Sequence, residues 1–193
     1  MESPQFLELP LSEKGRKFLY INLIVIILLI VIPIISLLYM PNVVPVHWNA
    51  EGQVTSYSTN ISAVIILATV MPLANIIIVI VTIYRWKLVN KYPYIINLPA
   101  ITLVMSSSNL DQQEKSEIVN KIFEVTLLVG ITVGAYLLGL EIIMIDSMIT
   151  GYINNALALS YSIIGALLMI IPIILLYRRI YKKDILPKIR QSP

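Results

Sequence analysis

Few residues in this sequence have side chains suited to chemistry. Cysteine is absent, so no disulfide, thiolate nucleophile or cysteine-bound metal is available. Histidine occurs once, at His47, which excludes a metal centre built on several histidines. No group of residues resembles a nucleophile paired with a base. We therefore expect no enzyme activity, no cofactor and no metal.

Two of the polar side chains inside long apolar stretches, Glu141 and Asn75, are candidates for a site. Glu141 follows Gly130 and Gly134 at steps that keep all three on one helix face, where glycines admit a neighbouring helix. Glu141 should therefore point into a helix bundle, either as a structural carboxylate bonded nearby or as a site for a ligand or proton. Asn75 is placed to form hydrogen bonds with another helix. We name Glu141 and Asn75 as a candidate intramembrane polar site.

The apolar stretches themselves indicate the class of protein. Hydrophobic residues make up 58% of the 193 residues, and charged residues make up 13%. This charged fraction is about half that of an average soluble domain. Four apolar runs are long enough to cross a hydrocarbon core of roughly 30 Å. We predict helices at residues 18–40, 61–84, 110–145 (of which 122–145 lie in the membrane) and 156–177.

The basic residues indicate the orientation of these helices. Of the 14 Lys and Arg residues, three precede the first helix, five lie between the second and third, and six follow the fourth. The loops at 41–60 and 146–155 contain none. By the positive-inside rule, both termini are cytoplasmic and these two loops face outside. We predict an all-α, multi-pass protein of the plasma membrane, with one domain over residues 1–193 and a compact outer loop between helices 1 and 2.

That outer loop has the most informative local sequence. Pro45 favours an extended backbone, and Asn49 and Gly52 are typical of the start and close of a turn. Trp48 is an amphipathic aromatic residue of the kind found at the level of lipid headgroups. His47 is either a hydrogen-bonded structural residue or a recognition residue that faces outside.

The same loop resembles the signature of a known family. Pro45-x-His47-Trp48-Asn49-x-x-Gly52 follows the first predicted helix and is similar to the pattern P-x-H-[FW]-N-x-x-G. That pattern marks small membrane proteins of unknown function, whose best-known members resemble the SdpI-type immunity proteins. These proteins protect a cell from its own secreted killing peptide. The resemblance extends over about residues 25–75.

The chain departs from the family pattern at three positions after the turn. Thr55, Tyr57 and Asn60 stand where the family usually has Asp, Trp and Lys. If this Asp and Lys form a charged contact in relatives, that contact is missing here. We expect these three changes to leave the fold intact. They bear more directly on any ligand binding that the chain shares with the family.

The resemblance implies a membrane immunity protein or receptor for an exported antimicrobial peptide. The expected ligand-binding residues are those of the signature: Pro45, His47, Trp48, Asn49 and Gly52. The expected partners are the lipid bilayer, a peptide toxin outside, a cytoplasmic regulator that receives a signal, and a second copy of the chain. No direct binding of nucleic acid is expected. The alternative is a small transporter or permease subunit that uses Glu141 and proline-kinked helices.

Overall fold

The structure, a computed structural model, describes residues 6–92, 99–176, 178 and 182. Over these residues the protein is mostly helical and contains one two-stranded sheet. The elements are α1 (Glu13–Ser36), β1 (Val43–Trp48), β2 (Val54–Thr59), α2 (Asn60–Val70), α3 (Leu73–Ile83), α4 (Arg85–Lys91), α5 (Pro99–Ser106), α6 (Gln112–Thr150) and α7 (Asn155–Leu176).

Four of the described segments are long and apolar enough to cross a membrane. They are Glu13–Ser36, Asn60–Ile83, Gln112–Thr150 and Asn155–Ile174, and each corresponds to one predicted run. Their apolar side chains remain largely exposed in the isolated chain, as with Leu167 and Ile171 of α7. Lipid is the solvent that suits such surfaces. The predicted number of helices long and apolar enough to span a membrane is confirmed among the described residues, and four such helices suggest a multi-pass membrane protein.

The helix ends differ from the prediction for identifiable reasons. Helix α1 begins at Glu13, five residues early, because the Ser12 hydroxyl caps it by accepting a hydrogen bond from the Gly15 N–H at 3.1 Å. Helix α6 begins at Gln112, two residues after the predicted start at residue 110. Its cap is Asp111, whose carboxylate accepts from the Glu114 N–H at 2.7 Å, while the Glu114 carboxylate accepts from the Asp111 N–H at 3.3 Å.

The other end of α6 lies beyond the predicted boundary at residue 145. The helix continues through Asp146 to Thr150 and stops at Gly151, which has a positive φ of 73°. Asp146 marks the end of the apolar run, but a single polar residue does not end a helix. A glycine in the left-handed region does so, because it closes the last turn without steric cost.

The second spanning segment is interrupted where the sequence predicts a kink. Helix α2 ends at Val70 and α3 begins at Leu73, with Met71 and Pro72 in a turn between them. Proline has no N–H to continue the helical hydrogen bonds and its ring disfavours the preceding turn. Regular bonding resumes at Ile76, whose N–H donates to the Pro72 carbonyl at 2.9 Å.

The prediction of an all-α chain misses one element. The connection between α1 and α2 is an antiparallel hairpin of β1 and β2, in which Val43 pairs with Thr59 and Trp48 with Val54. The register is irregular on both sides of His47. The prolines of this segment indicated a loop, whereas its valines and aromatic residues, which favour a pleated and half-buried surface, form the strands.

The described residues form two compact units, each with its own apolar core. The first unit draws on the described residues within 1–20, 78–129 and 170–193, and the second on residues 21–77 and 130–169. The core of the first is Phe6, Trp86, Val89, Ile101, Val104, Leu110, Ile118, Val119, Ile122 and Phe123. The core of the second is Met40, Val44, Ala63, Val64, Leu67, Ile145 and Met148. The single membrane domain over residues 1–193 stays a prediction.

The orientation of the spans stays a prediction, and cysteine labelling tests it. Most of the basic tail that entered the argument lies outside the described residues. Because the chain has no native cysteine, single cysteines report cleanly. We expect Glu51→Cys, on the exposed hairpin turn, to react with an impermeant maleimide in intact cells. Ser108→Cys, which is exposed between α5 and α6, should react only after lysis; labelling of Ser108→Cys in intact cells would reverse the assignment.

Candidate functional site

The hairpin turn is fixed by Asn49. Its side-chain oxygen accepts hydrogen bonds from the Glu51 N–H at 3.1 Å and the Gln53 N–H at 2.8 Å. The Gly52 N–H donates to the Asn49 carbonyl at 3.0 Å, and Gly52 has a positive φ of 81°. A side chain at Gly52 would be strained by this backbone conformation. The predicted turn is thus confirmed, with Asn49 and Gly52 in the structural roles that their residue types favour.

A second contact fixes the turn against the start of α7. The Asn155 side chain donates a hydrogen bond to the Ala50 carbonyl at 2.7 Å. A Cβ atom at Gly52 would lie 3.3 Å from the same Asn155 amide and 3.3 Å from the Ile153 carbonyl. The turn of the hairpin therefore packs against the start of α7, within the second unit.

An apolar cavity of about 260 Å³ lies beneath the hairpin. The hairpin, α2 and α6 all contribute to its wall, which consists of Val46, His47, Ser58, Ala63, Ile66, Leu67, Met144 and Met148. His47 is the only ionisable residue among them, and it is exposed on β1. Pro45, by contrast, is buried in the strand. Because methionine side chains are flexible and polarisable, this wall suits apolar groups of varied shape.

Trp48 follows His47 of the cavity wall directly in the sequence, and its side chain is half-buried. Its ring packs against the core of the second unit. Its indole Nε1 is buried and has no hydrogen-bond partner within the described part of the chain. A buried indole N–H usually finds an acceptor, because leaving the donor unpaired costs free energy. Trp48 therefore presents an unused donor beside the turn of the hairpin.

A buried amide pair links three helices of the second unit. The Asn75 side-chain nitrogen on α3 donates to the Asn22 side-chain oxygen on α1 at 2.9 Å, and to the Gly130 carbonyl on α6 at 2.8 Å. Both asparagines are fully buried. The predicted interhelical hydrogen bond of Asn75 is confirmed. The contribution of Asn22 was missed, although a single asparagine within an apolar helix is a recognisable signal.

Gly134 is the point of closest approach around this pair. A Cβ atom added there would collide with the Val25 side chain of α1 and would lie 2.8 Å from the Asn75 amide nitrogen. The glycine face predicted for α6 therefore does admit neighbouring helices. The Asn75 side-chain oxygen also faces Gly134, at 3.0 Å from the same Cβ position, and it has no hydrogen-bond partner among the described residues.

Glu141 is fully buried on α6. Both of its carboxylate oxygens lack a hydrogen-bond partner within the described ranges. It follows Gly134 by seven residues and precedes Met144 and Met148 by three and seven, so these four residues share one face of the helix. An unpaired carboxylate in an apolar interior is costly in free energy, and polar residues at such places commonly serve a function.

The second unit therefore contains all of the predicted site residues. His47 lines the cavity, and Trp48 follows His47 directly in the chain. Glu141 lies on the same face of α6 as Met144 and Met148, the two methionines that line the cavity. No hydrogen bond of the described residues joins Glu141 to the hairpin or to Asn75. The ligand-binding roles of the signature residues stay predictions, and no cluster able to hold a metal occurs in the described chain.

A reciprocal contact of tyrosines and glycines joins α6 to α7. The rings of Tyr136 and Tyr161 are stacked with centroids 5.7 Å apart. Tyr161 covers Gly139 and Tyr136 covers Gly165, so that each ring lies where a larger side chain would collide. The sequence analysis did not single out these residues. Their signal is a tyrosine three or four residues before a glycine in two adjacent apolar helices.

The first unit contains a second polar network that sequence reasoning missed. It holds the segment at residues 6–12, here called the N-terminal arm, by hydrogen bonds from side chains of α4 and α6. The Asn90 amide bonds both the N–H and the carbonyl of Phe6, at 2.9 and 3.0 Å. Phe6 itself is fully buried in the core of this unit. The arm is thus bound through its backbone, with Phe6 as its fully buried apolar anchor and Leu9 packed against the same core.

Arg85 is the buried charge of this network. Its guanidinium donates to the Leu9 carbonyl at 2.6 Å, the Asn120 side-chain oxygen at 2.9 Å and the Thr82 carbonyl at 3.0 Å. Burial lowers the pKa of the Arg85 guanidinium, and the carboxylates of Glu124 and Glu8 act in the opposite direction. Arginine stays protonated in proteins, so the network encloses a positive charge.

Glu124 completes the arm's attachment. Its carboxylate accepts hydrogen bonds from the Ser12 N–H at 2.7 Å and the Ser12 hydroxyl at 2.9 Å. The same residue lies against Gly15, where an added Cβ atom would be 2.7 Å from it. Glu124 lies within the apolar run of residues 122–145, and nothing in its local sequence indicates this role. Its observed role is to anchor the beginning of α1.

Comparison with known proteins finds a family domain that matches part of the chain and a related archaeal protein. The family described as "domain of unknown function (DUF1648)" matches residues 24–71, which hold the hairpin and α2. An uncharacterized protein of Archaeoglobus fulgidus is 34% identical over 142 residues, covering 74% of this chain and 76% of the archaeal one. No solved structure matches the chain. The chain belongs to the family of this archaeal protein, and through residues 24–71 it is similar to the domain of unknown function DUF1648.

Proposed function

We propose that the protein is a plasma-membrane receptor that binds an exported antimicrobial peptide at the hairpin and thereby protects the cell. The observation that carries this proposal is the cavity of about 260 Å³ between the hairpin, α2 and α6. An apolar protein cavity of about 150 Å³ already accommodates a benzene molecule. The cavity beneath the hairpin is therefore large enough for an aromatic or branched aliphatic side chain of a peptide.

The polar groups around the cavity suit the rest of such a ligand. His47 is exposed at its wall, and the Trp48 N–H is a buried donor without a partner among the described residues. A peptide whose apolar side chain entered the cavity would bring a backbone carbonyl that can accept from Trp48. An amphipathic peptide supplies both chemistries, whereas a purely polar ligand would leave the apolar wall in contact with water.

Two further arguments support an outward-facing peptide site. The distribution of Lys and Arg favours an outer position for the hairpin. The signature from Pro45 to Gly52 resembles that of the SdpI-type immunity proteins, and it lies within the segment that matches the family domain. A cytoplasmic regulator and a second copy of the chain are partners that this proposal allows.

Survival under peptide challenge tests the proposal. A sensitive host expressing the protein is exposed in turn to each small secreted peptide that the genome encodes near its gene, if one is found there. We expect survival with the unaltered protein, and loss of protection with Trp48→Ala and His47→Ala at normal protein levels in the membrane. Tyr57→Ala is a matched control because Tyr57 is an exposed aromatic of the same hairpin that does not line the cavity.

Protein abundance separates binding from folding in this assay. Gly52→Val should lower the amount of protein in the membrane, because valine is strained at a φ of 81°. No protection by the unaltered protein would contradict the immunity proposal. Full protection by Trp48→Ala and His47→Ala would restrict the hairpin to a structural role.

A small transporter or permease subunit is the second candidate. The observation that favours it is the buried carboxylate of Glu141, whose oxygens have no partner in the described residues. The interruption of the second span at Met71 and Pro72 adds to it, since broken helices frequently line transport sites. Counterflow of radiolabelled solutes in proteoliposomes, compared between the unaltered protein and Glu141→Gln, tests this candidate.

A further inference from the structure

Among the buried side-chain atoms of the second unit that lack a hydrogen-bond partner in the described residues, acceptors outnumber donors. In the described chain, four buried side-chain atoms lack a partner: the Nε1 donor of Trp48, and three acceptors, which are the Asn75 side-chain oxygen and both oxygens of Glu141. The acceptors belong to α6 or face it, whereas Trp48 is on the hairpin. Along this face of α6, the protein supplies acceptors and leaves donors to be supplied by something else.

The assignment of the Asn75 oxygen is determined by its hydrogen bonds. Its side-chain nitrogen must face the Gly130 carbonyl, at 2.8 Å, because a backbone carbonyl can only accept. Exchanging the nitrogen and the oxygen of Asn75 would place oxygen against that carbonyl oxygen. The excess of acceptors on this face therefore does not depend on the orientation chosen for the amide.

We infer that Glu141 is a binding site for a primary ammonium group carried on an apolar chain. An ammonium group brings three N–H donors and the positive charge that a buried carboxylate needs. A metal ion requires several oxygen or nitrogen ligands, and no cluster of three such ionisable residues occurs among the described residues. One isolated carboxylate suits an ammonium ion better than it suits a metal ion.

The cavity beneath the hairpin is the nearby place for the apolar chain of the amine, although Glu141 itself does not line it. Met144 is three residues from Glu141 on the same helix face, a rise of about 4.5 Å along the axis. Met144 and Met148 line the cavity beneath the hairpin, opposite Ala63 and Leu67 of α2. An alkyl group that leaves Glu141 toward this cavity exchanges water for an apolar wall. The ligand class is therefore an aliphatic primary amine, as a free molecule or as a lysine side chain.

This inference deepens the transport candidate by naming a ligand class for Glu141, and it rests on that candidate for its biological meaning. The alternative is that Glu141 is a neutral carboxylic acid with a purely structural role. A neutral acid and an ammonium-bound carboxylate react differently with an apolar carbodiimide, because the reagent adds to the protonated acid. Reaction with dicyclohexylcarbodiimide therefore distinguishes them in the full-length protein, without any assay of transport or immunity.

The experiment uses the full-length protein in lipid nanodiscs and measures carbodiimide adducts by peptide mass spectrometry. We expect an adduct on Glu141 that is absent from Glu141→Gln. Hexylammonium chloride should slow its formation on the order of tenfold when it is present at about ten times its Kd. Sodium chloride at the same concentration should have no effect. Ala63→Leu, which fills the cavity from α2, should keep the labelling but weaken the protection by hexylammonium.

Three outcomes overturn the inference. Labelling that hexylammonium does not slow would make Glu141 a neutral structural acid. Equal protection by sodium would indicate a metal-ion site instead. Absence of labelling would show that no apolar reagent reaches the carboxyl group, and hence that no amine of this class does. A separate result concerns the transport candidate alone: if the unaltered protein shows no counterflow in proteoliposomes while hexylammonium still protects Glu141, that candidate is rejected and the binding site stands.

Discussion

Replacing Gly134 by leucine is expected to destabilise the protein by about 3 kcal/mol, because the new side chain has no space. Even its Cβ atom would collide with Val25 and would lie 2.8 Å from the Asn75 amide nitrogen. Separating the helices enough to fit leucine would also break the bonds of Asn75 to Asn22 and Gly130. The measurement is equilibrium unfolding in mixed micelles, with the amount of protein in the membrane as a second readout.

The matched control is Ile131→Leu on the same helix. Ile131 is half-buried and is three residues from Gly134, and the exchange conserves side-chain volume. We expect it to change the free energy of unfolding by less than about 1.5 kcal/mol. Gly134→Ala should fall between the two, because a single methyl group already makes the close contact. Equal stability of Gly134→Leu and Ile131→Leu would show that α1 and α3 do not pack at Gly134.

Removing the guanidinium of Arg85 is the second change with a large expected effect. Arg85→Ala deletes three buried hydrogen bonds, to Leu9, Asn120 and Thr82. Bonds that involve a charged donor contribute more than neutral ones, and acceptors left unpaired in the interior add their desolvation cost. We expect a loss of about 3 kcal/mol in the free energy of unfolding. The arm should also become accessible to protease, since Leu9 loses a main attachment.

Lys87→Ala is the control for charge and helix propensity. Lys87 lies on the same short helix and has the same charge, but it is exposed. Its removal should change stability by less than about 0.5 kcal/mol. Arg85→Lys should retain only part of the stability, since an ammonium group does not reproduce the geometry of the guanidinium. If Arg85→Ala and Lys87→Ala are equally stable, the arm is held by its apolar anchor Phe6 and not by this network.

The features that the sequence predicts well are those with a strong local signal. About twenty apolar residues in succession define a spanning segment, because each of them makes transfer of the helix into the membrane more favourable. The turn of the hairpin was predictable as well, since Asn49 and Gly52 have conformational preferences that few other residues share. Helix ends were less accurate, as at Asp111, because several nearby polar residues qualify as caps.

The features that the sequence did not reveal depend on contacts between distant residues. Asn90 reads as an ordinary polar residue, and only the fold brings it to Phe6, 84 residues away in the chain. The hairpin was missed because β1 contains Pro45, so local preference pointed to a loop. Glu141 was recognised as buried from its spacing alone, yet whether its oxygens have partners is a property of three-dimensional packing.

The attachment of the N-terminal arm has a consequence for the order in which the chain is made. Ser12 bonds to Glu124, which lies 112 residues later in the sequence. A ribosome synthesises residues from the N-terminus onward, so the arm exists for seconds before its partner does. During that interval α1 has entered the membrane without the anchor at its beginning, and the arm is open to chaperones or proteases. A tag fused to the arm would therefore act on biogenesis first, before it affected the finished protein.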